Sequence, residues 1–412
     1  MAKKTILIIA HGHPHFHKGG AEKAAFDLYQ ELRAQGEDAW FLAKTNQKPH
    51  GGAAFSAIND GREILFHTSM SDPFLFSNIQ TRHLWNDFSD LLRTLKPDII
   101  HCHHYFGLGI ELFRIVKKTL SDTRLILTLH EYLAICHNNG QMITPGKSPK
   151  LCYKANTVDC HRCFPEKSAG DFFLRERYLK SLLGHVDAFI SPSHFLKQRY
   201  VDWGLSESLI QVVENGQRPV KKPDLPPISE DRRIRIGYFG QVNKFKGLHI
   251  LFDALSLLSK HDRNKLAIDV FGANLEHQDS DYQRVIKAAL SENDDLVTFH
   301  GSYRSEDMAS IIMNIDWTIM TSIWWENSPL VIQESFNLGR PVIVSNIGGM
   351  SEKVRHGIDG LHFRVGDAVD LARYLALVVS GPEIRNTLAG NIVQPPLLSD
   401  TVKELLSSVY CC

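Results

Sequence analysis

Glu326 and Glu334 are separated by seven residues, and Asn327-Ser328-Pro329-Leu330 lies between them. Ser328 suits a helix N-cap, and Pro329 suits the first helical position, where its missing N–H would be unpaired in any case. The first N–H groups of a helix have no internal partner and its dipole favours an anion, so the segment reads as a phosphate-binding helix start. Upstream, Trp317–Ser322 reads as a buried strand. The loop then sits at the carboxyl end of a strand, where open α/β sheets bind ligands. Glu334 falls on a partly apolar helix face, and a carboxylate there needs a partner. The vicinal hydroxyls of a ribose would satisfy both its oxygens; a rim glutamate bonded to a lysine or to water is the plainer alternative.

Other residues could serve the same chemistry. Gly240-Gln241-Val242-Asn243-Lys244-Phe245-Lys246-Gly247 follows a strand at Ile234–Phe239, and Lys244 and Lys246 can bring cationic charge to a diphosphate. Taken alone, a solvated basic turn explains it as well. Gly19-Gly20 opens the first helix, where glycine lets backbone approach a ligand, but no Gly-x-Gly-x-x-Gly fingerprint is present. His130-Glu131 ends the strand Leu125–Leu129, so His130 can hydrogen-bond a sugar hydroxyl or share a proton. His101 and His103 alternate along a strand and face one way, and no metal is expected on them. Cys136, Cys152, Cys160 and Cys163 lie in a loop-like stretch and end in Cys-x-x-Cys, a set that can close a tetrahedral zinc site. A redox dithiol, an iron–sulfur cluster and unliganded thiols are the rival readings.

These groups need a scaffold. A chain of 412 residues is too long for one ordinary core, so two domains are expected. The 46 basic and 46 acidic residues cancel, which gives no global attraction to nucleic acid. No apolar run approaches the ~20 residues needed to span a bilayer. The N-terminal run is too short for a signal peptide, and seven cysteines fit a reducing compartment, so a cytoplasmic location is expected. Strand 5–10, a helix over 20–35 stopped by Gly36, and a strand at Ala39–Leu42 make a βαβ unit. Further strands are expected at 98–102 and 188–191. After a proline-rich linker at 217–233, strands follow at 266–271, 296–300 and 342–345. Strands alternating with helices imply parallel sheets covered on both faces. The chain divides into an N-terminal domain (1–216, with a cysteine-bearing loop 136–163), the linker, a second domain (234–385) and a tail (386–412) packing back on the first domain. Two α/β domains about a hinge would leave a cleft between them. Residues 171–180 read as a basic–aromatic amphipathic helix, packed with one solvated face; a membrane-surface contact is the alternative.

Glu326-x7-Glu334, Gly339-Arg340-Pro341-Val342-Ile343, Gly348-Gly349-Met350-Ser351-Glu352 and Gly357-Ile358-Asp359-Gly360-Leu361 together resemble the retaining glycosyltransferases of family four. Gly19-Gly20-Ala21-Glu22 resembles that family's N-terminal glycine loop, and the likeness runs from Lys4 to about Ala372. The resemblance implies the GT-B fold of two facing Rossmann-like domains. It implies a hexosyltransferase-like enzyme with a nucleotide-sugar donor, a glycan or lipid-linked acceptor in surface polysaccharide synthesis, and no catalytic metal. Glu334 would hold the donor ribose, Glu326 would lie near the donor sugar, and the backbone of Asn327, Ser328, Pro329 and Leu330 would hold the diphosphate. Lys246 would neutralise the leaving diphosphate, with Lys244 near it, and His130 would lie near the transferred sugar. Where the family commonly has Gly-Arg, this chain has Gly240-Gln241, which brings no charge. The cysteine loop resembles one found in some bacterial members, on the acceptor side. A peripheral position at the inner membrane face fits such an acceptor. The competing functions are a nucleotide-sugar epimerase on the same fold and a non-catalytic zinc-stabilised scaffold.

Overall fold

The computed structural model describes residues 3–16, 19–47, 52–78, 82–146, 149–220 and 232–411. Most of the expected linker, including Pro223, Pro226 and Pro227, lies outside the described residues. The chain forms two compact units, Met1–Gly216 with Leu398–Cys412, and Gln217–Leu397.

The first unit runs β1 (Thr5–Ala10), α1 (Gly20–Ala34), β2 (Asp38–Thr45), β3 (Phe55–Ile58), β4 (Glu63–His67), α2 (Arg82–Leu95), β5 (Ile99–Cys102), α3 (Leu112–Thr119), β6 (Arg124–Thr128), α4 (Thr157–Cys163), α5 (Ala169–Leu183), β7 (Ala188–Ser191), α6 (His194–Trp203) and β8 (Ile210–Val212). Its sheet has the order β3-β4-β2-β1-β5-β6-β7-β8, parallel except for β3 against β4. The apolar strands pack Ile6, Ile8, Phe41, Ile99 and Ile126 against Ala25, Leu28, Tyr29 and Leu32 of α1. The α1 residues recur at helical spacing, and Gly36, at φ 91°, turns the chain after it.

The second unit runs β9 (Ile234–Phe239), α7 (Leu248–Ser256), α8 (Lys260–Asn264), β10 (Leu266–Phe271), α9 (Ser280–Glu292), β11 (Val297–Gly301), α10 (Met308–Met313), β12 (Trp317–Met320), α11 (Leu330–Asn337), β13 (Val342–Ser345), α12 (Gly348–Lys353), β14 (Gly360–Phe363), α13 (Ala368–Ser380) and α14 (Ile384–Gly390). Its six strands are all parallel, in the order β11-β10-β9-β12-β13-β14. The chain after α14 stays with this unit up to Leu397, rather than leaving it at 386. Asn391 O accepts from Arg355, Gln394 donates to Phe336 O, and Gln217 N–H donates to Pro396 O at 2.8 Å. Then α15 (Leu398–Glu404) and the turn Leu405–Val409 join the first core, where Lys4 Nζ reaches Tyr410 O at 2.6 Å.

In each sheet the strand order reverses once near the middle, at β1/β5 and at β9/β12. Chain leaving neighbouring strands there turns to opposite faces, so a crevice opens at the carboxyl ends of those strands. The candidate functional residues sit at these two places.

Candidate functional site

In the second unit, β9 ends on the 240–247 loop and β12 ends on the 321–329 loop. Asn243 Oδ1 accepts from the backbone N–H groups of Phe245 and Lys246, each at 3.0 Å, and winds Lys244–Lys246 into a short 3-10 turn. Ile323 N–H donates to Phe245 O at 2.8 Å, and Thr321 Oγ1 donates to Gly247 O at 2.8 Å, so the two loops are laced together. Gly247 lies at φ 70°, and a Cβ there would stand 2.0 Å from Thr321 O. Glycine is what lets the loops close to this distance.

The lacing brings Lys246 Nζ to 2.5 Å from Glu326 Oε1, which also accepts from Ser322 Oγ at 2.7 Å and Trp324 Nε1 at 2.9 Å. Glu326 is 6 % exposed. Burial pushes its carboxyl pKa up, but the charge of Lys246 and the three hydrogen bonds outweigh burial and hold it below the usual range. Lys246 therefore has a fixed direction: its ammonium lies 5.5 Å from the centre of the Trp324 ring, on the rim of the loop. Lys244 is exposed, its ammonium 5.1 Å from the Phe245 ring, and Gln241 is exposed.

α11 begins at Leu330. Pro329 (φ −64°, ψ 118°) occupies the cap position and gives no side-chain cap, so the expected Ser328 cap with Pro329 as first helical residue is corrected by one residue. The extended ψ of Pro329 delays the helix. The Ser328 hydroxyl turns inward, buried without a hydrogen-bond partner among the described residues. Asn327, Ser328, Pro329 and Leu330 form the half-buried approach to the helix. It is backed by Gly349, whose N–H donates to Glu326 O at 2.7 Å; a Cβ on Gly349 would fall 1.4 Å from Asn327 O. Glu334 is half-buried on α11. Burial, and then the charge of Glu334, push the Tyr303 phenol up to about 12, which marks Tyr303 as a neighbour of that carboxylate.

In the first unit, β1, β5 and β6 end close to His11, to His103 and His104, and to His130. His11 Nε2 meets Glu22 Oε1 at 3.0 Å, and Glu22 is buried in the first turn of α1, which Gly19 caps and Gly20 opens. His103 Nδ1 and His130 Nε2 are 3.0 Å apart, so one nitrogen carries the proton and the other accepts it. His104 Nε2 lies 3.3 Å from Glu131 Oε1. The His101 and His103 rings are 4.5 Å apart on one side of β5, and His101 bonds the hydroxyls of Tyr410 at 2.6 Å and Thr128 at 2.7 Å. Burial, and then the neighbouring imidazoles, hold His101, His103, His104 and His130 well below the usual imidazole range, and hence neutral at pH 7. Burial pushes the Glu131 carboxyl above the usual carboxylate range. Neutral imidazoles can donate and accept at once, which suits hydroxyl ligands.

Arg175 of α5 holds this loop from behind. It is 3 % exposed and donates to Phe74 O, Leu133 O and Ala134 O at 2.7–2.9 Å. The sequence pattern marks α5 as basic and aromatic but does not show that one of its arginines turns inward. Phe172, Arg175 and Leu179 are buried, while Phe173 and Leu174 are exposed. Motif reading gives no site role to Ser322, Trp324, Tyr303, His11, His104 or Arg175, although Trp324 lies in the Glu326 motif and His104 in the histidine cluster with His101 and His103. The signal for most of them is a place within a few residues of a strand's carboxyl end. Among the described residues the cysteines are free thiols, and no three His, Cys, Asp or Glu side chains stand as a ready ligand set for a metal. Among the described residues, no helix is long and apolar enough to cross a membrane.

Residues 18–218 match the family Glycosyltransferase Family 4, and residues 224–393 match Glycosyl transferases group 1. The D-inositol 3-phosphate glycosyltransferase of an Arthrobacter species is 29% identical over 157 residues, 38% of this chain and 37% of that enzyme. The lipopolysaccharide 1,2-N-acetylglucosaminetransferase of Salmonella typhimurium is 27% identical over 184 residues, 42% of this chain and 48% of that enzyme. The chain thus spans less than half the length of each of these two relatives. Among solved structures, Anabaena Alr3699/HepE in complex with UDP and glucose superposes with a TM-score of 0.68 at 17% identity, covering 99% of this chain and 100% of that one.

Proposed function

We propose that this chain, which belongs to the group 1 and family 4 glycosyltransferases, moves a sugar from a nucleotide diphosphate donor to a glycan or lipid-linked acceptor with retention of configuration. The observation that carries the reading is the Lys246–Glu326 pair at 2.5 Å, fixed at the switch point of a parallel sheet beside the N-terminus of α11. Negative charge grows on the diphosphate as the glycosidic bond breaks, and a preoriented cation there stabilises the transition state more than the ground state. Lys246 supplies that charge, and Lys244 adds to it in place of the arginine that Gln241 replaces. Glu326 orients Lys246 next to the donor sugar. The approach Asn327–Leu330 and the α11 N-terminus take the phosphates. Glu334 takes the ribose hydroxyls.

In the first unit, Gly19 and Gly20 offer backbone to the donor, and His130, kept neutral, hydrogen-bonds the transferred sugar. No covalent nucleophile is assigned. A UDP-sugar donor is supported by the solved relative that binds UDP and glucose, and a surface-glycan acceptor by the lipopolysaccharide enzyme. Exposed Phe173 and Leu174, with Arg177 on the same helix, suit peripheral contact with a membrane face in the cytoplasm. Sedimentation with anionic vesicles tests that contact: an unchanged bound fraction in Phe173→Ser/Leu174→Ser would end it.

The deciding experiment is a donor panel read by release of nucleoside diphosphate, with titration calorimetry of the matching diphosphate. Glu334→Ala is expected to weaken diphosphate binding about 10–100-fold, the loss of two hydrogen bonds to a charged acceptor. Unchanged affinity removes Glu334 from the site. An epimerised donor in the absence of acceptor overturns transfer.

A further inference from the structure

Residues 136–163 present a packing problem. Among the described residues, no side chain between Ile143 and Phe172 is buried, and α4 buries none of its seven residues. A seven-residue helix is too short to persist on propensity, and its Asn156 cap contributes only about 1 kcal/mol. Apolar packing around α4 is thin: only Phe164, just after it, lies against the His137 and Phe172 rings among the described residues.

The backbone gathers four free thiols here from three segments. Cys136 lies in a turn, its N–H donating to Tyr132 O at 2.8 Å and its carbonyl accepting from Gly140 at 3.1 Å. Ile143 bridges Leu151 in antiparallel fashion, and Cys152 N–H donates to Met142 O at 2.8 Å, which returns Cys152 to the vicinity of that turn. Cys160 and Cys163, three apart on α4, share one helix face. His137, next to Cys136, packs its ring 4.8 Å from Phe164, next to Cys163. Arg175 Nη1 donates to Ala134 O at 2.8 Å, two residues before Cys136.

We infer that Cys136, Cys152, Cys160 and Cys163 together bind one zinc ion, which pins α4 and the paired segments 142–144 and 150–152 to the turn that follows His130-Glu131. Four thiolates suit zinc, which takes a tetrahedral sulfur shell and has no redox chemistry of its own. On binding, four thiols release four protons and form four Zn–S bonds, a complex of net charge −2 that the nearby Arg175 partly balances. Among the described residues the four Sγ atoms do not form a closed ligand set, so binding involves side-chain rotation within segments that already meet. The ion would do here what a hydrophobic core does elsewhere.

The test uses the full chain purified under reducing conditions without added metal. Elemental analysis is expected to give about one zinc per chain. Cys160→Ser and Cys163→Ser should each lower this to under about a tenth, and Cys411→Ser, at an exposed cysteine, should leave it unchanged. A mercurial reagent on the unaltered chain should release zinc as four thiols react. A chelator should lower the melting temperature, and zinc, but not magnesium, should restore it. If the serine variants do not fold, the mercurial and chelator measurements on the unaltered chain still decide. Four reactive thiols with no metal, a Cys160–Cys163 disulfide by mass spectrometry, or iron with visible absorbance would each overturn the proposal.

Discussion

The two switch points are built on the same parallel-sheet topology but bury ionisable groups in opposite ways. At β9/β12, a carboxylate stays charged inside because Lys246, Ser322 and Trp324 all donate to it. At β1/β5, four imidazoles are kept neutral by burial and by one another. The first arrangement stores a directed positive charge, which suits a phosphate ligand. The second stores hydrogen-bonding capacity without charge, which suits hydroxyls. The strands position both sets; the loop residues decide which chemistry results.

The contrast breaks most sharply at Lys246. Lys246→Ala is expected to lower kcat by about 100-fold or more, with a smaller effect on diphosphate affinity, because the lost charge acts mainly in the transition state. It also leaves Glu326 buried and uncompensated, which costs about 3–5 kcal/mol. Adding Glu326→Gln should recover much of that stability and none of the turnover, as paired melting and kinetic measurements would show. Full recovery of turnover would mean that the lysine only served the carboxylate.

Acid should separate the two regions next. A histidine whose folded pKa lies below its unfolded value of 6.5 costs stability as pH falls from 6.5 towards the folded value, about 1.4 kcal/mol per pH unit for each group. Glu131 works the other way: its contribution is full below 4.5 and is lost as pH rises through its raised pKa. One acid against four histidines leaves a net loss on acidification. The Glu326 pair keeps its contribution above 4.5 and loses it as pH falls through the lowered folded pKa. Hydrogen exchange between pH 7 and 5 should therefore show the first unit loosening before the second; loosening in the reverse order would contradict the neutral-imidazole assignment.

Smaller effects test the partners. His103→Asn removes the ring that orients His130, and about 1 kcal/mol of hydrogen bonding, so kcat should fall about fivefold with diphosphate affinity unchanged. Ser322→Ala removes one of three donors to Glu326 and should cost about 1 kcal/mol by melting, with kcat changed about twofold or less. An equal loss of kcat in Ser322→Ala and Lys246→Ala would show that the site depends on loop rigidity rather than on charge.

Much of the fold can be read along the chain. The runs Ile234–Phe239, Leu266–Phe271 and Val342–Ser345 are apolar because parallel strands are buried on both faces, and their bounds match the observed strands. The edge strands Phe55–Ile58 and Ile210–Val212 are not legible, because a short, half-covered edge carries little apolar signal. In the site, Glu326, Glu334 and Lys246 stand out because their spacing follows one helix start and one loop. The pattern places that start one residue early, since the backbone angles of Pro329 depend on what the loop packs against.

Sequence alone therefore determined what depends on neighbours along the chain: strands, helix starts, glycine turns and the types of group at the strand ends. Tertiary structure decided what depends on desolvation and on partners far away in sequence. Lys246 meets Glu326 across 80 residues, and His103 meets His130 across 27. Arg175 turns inward to reach carbonyls some 41 to 101 residues away. Whether a buried group keeps its charge is set by the donors that reach it, and only the folded sheets bring those donors together.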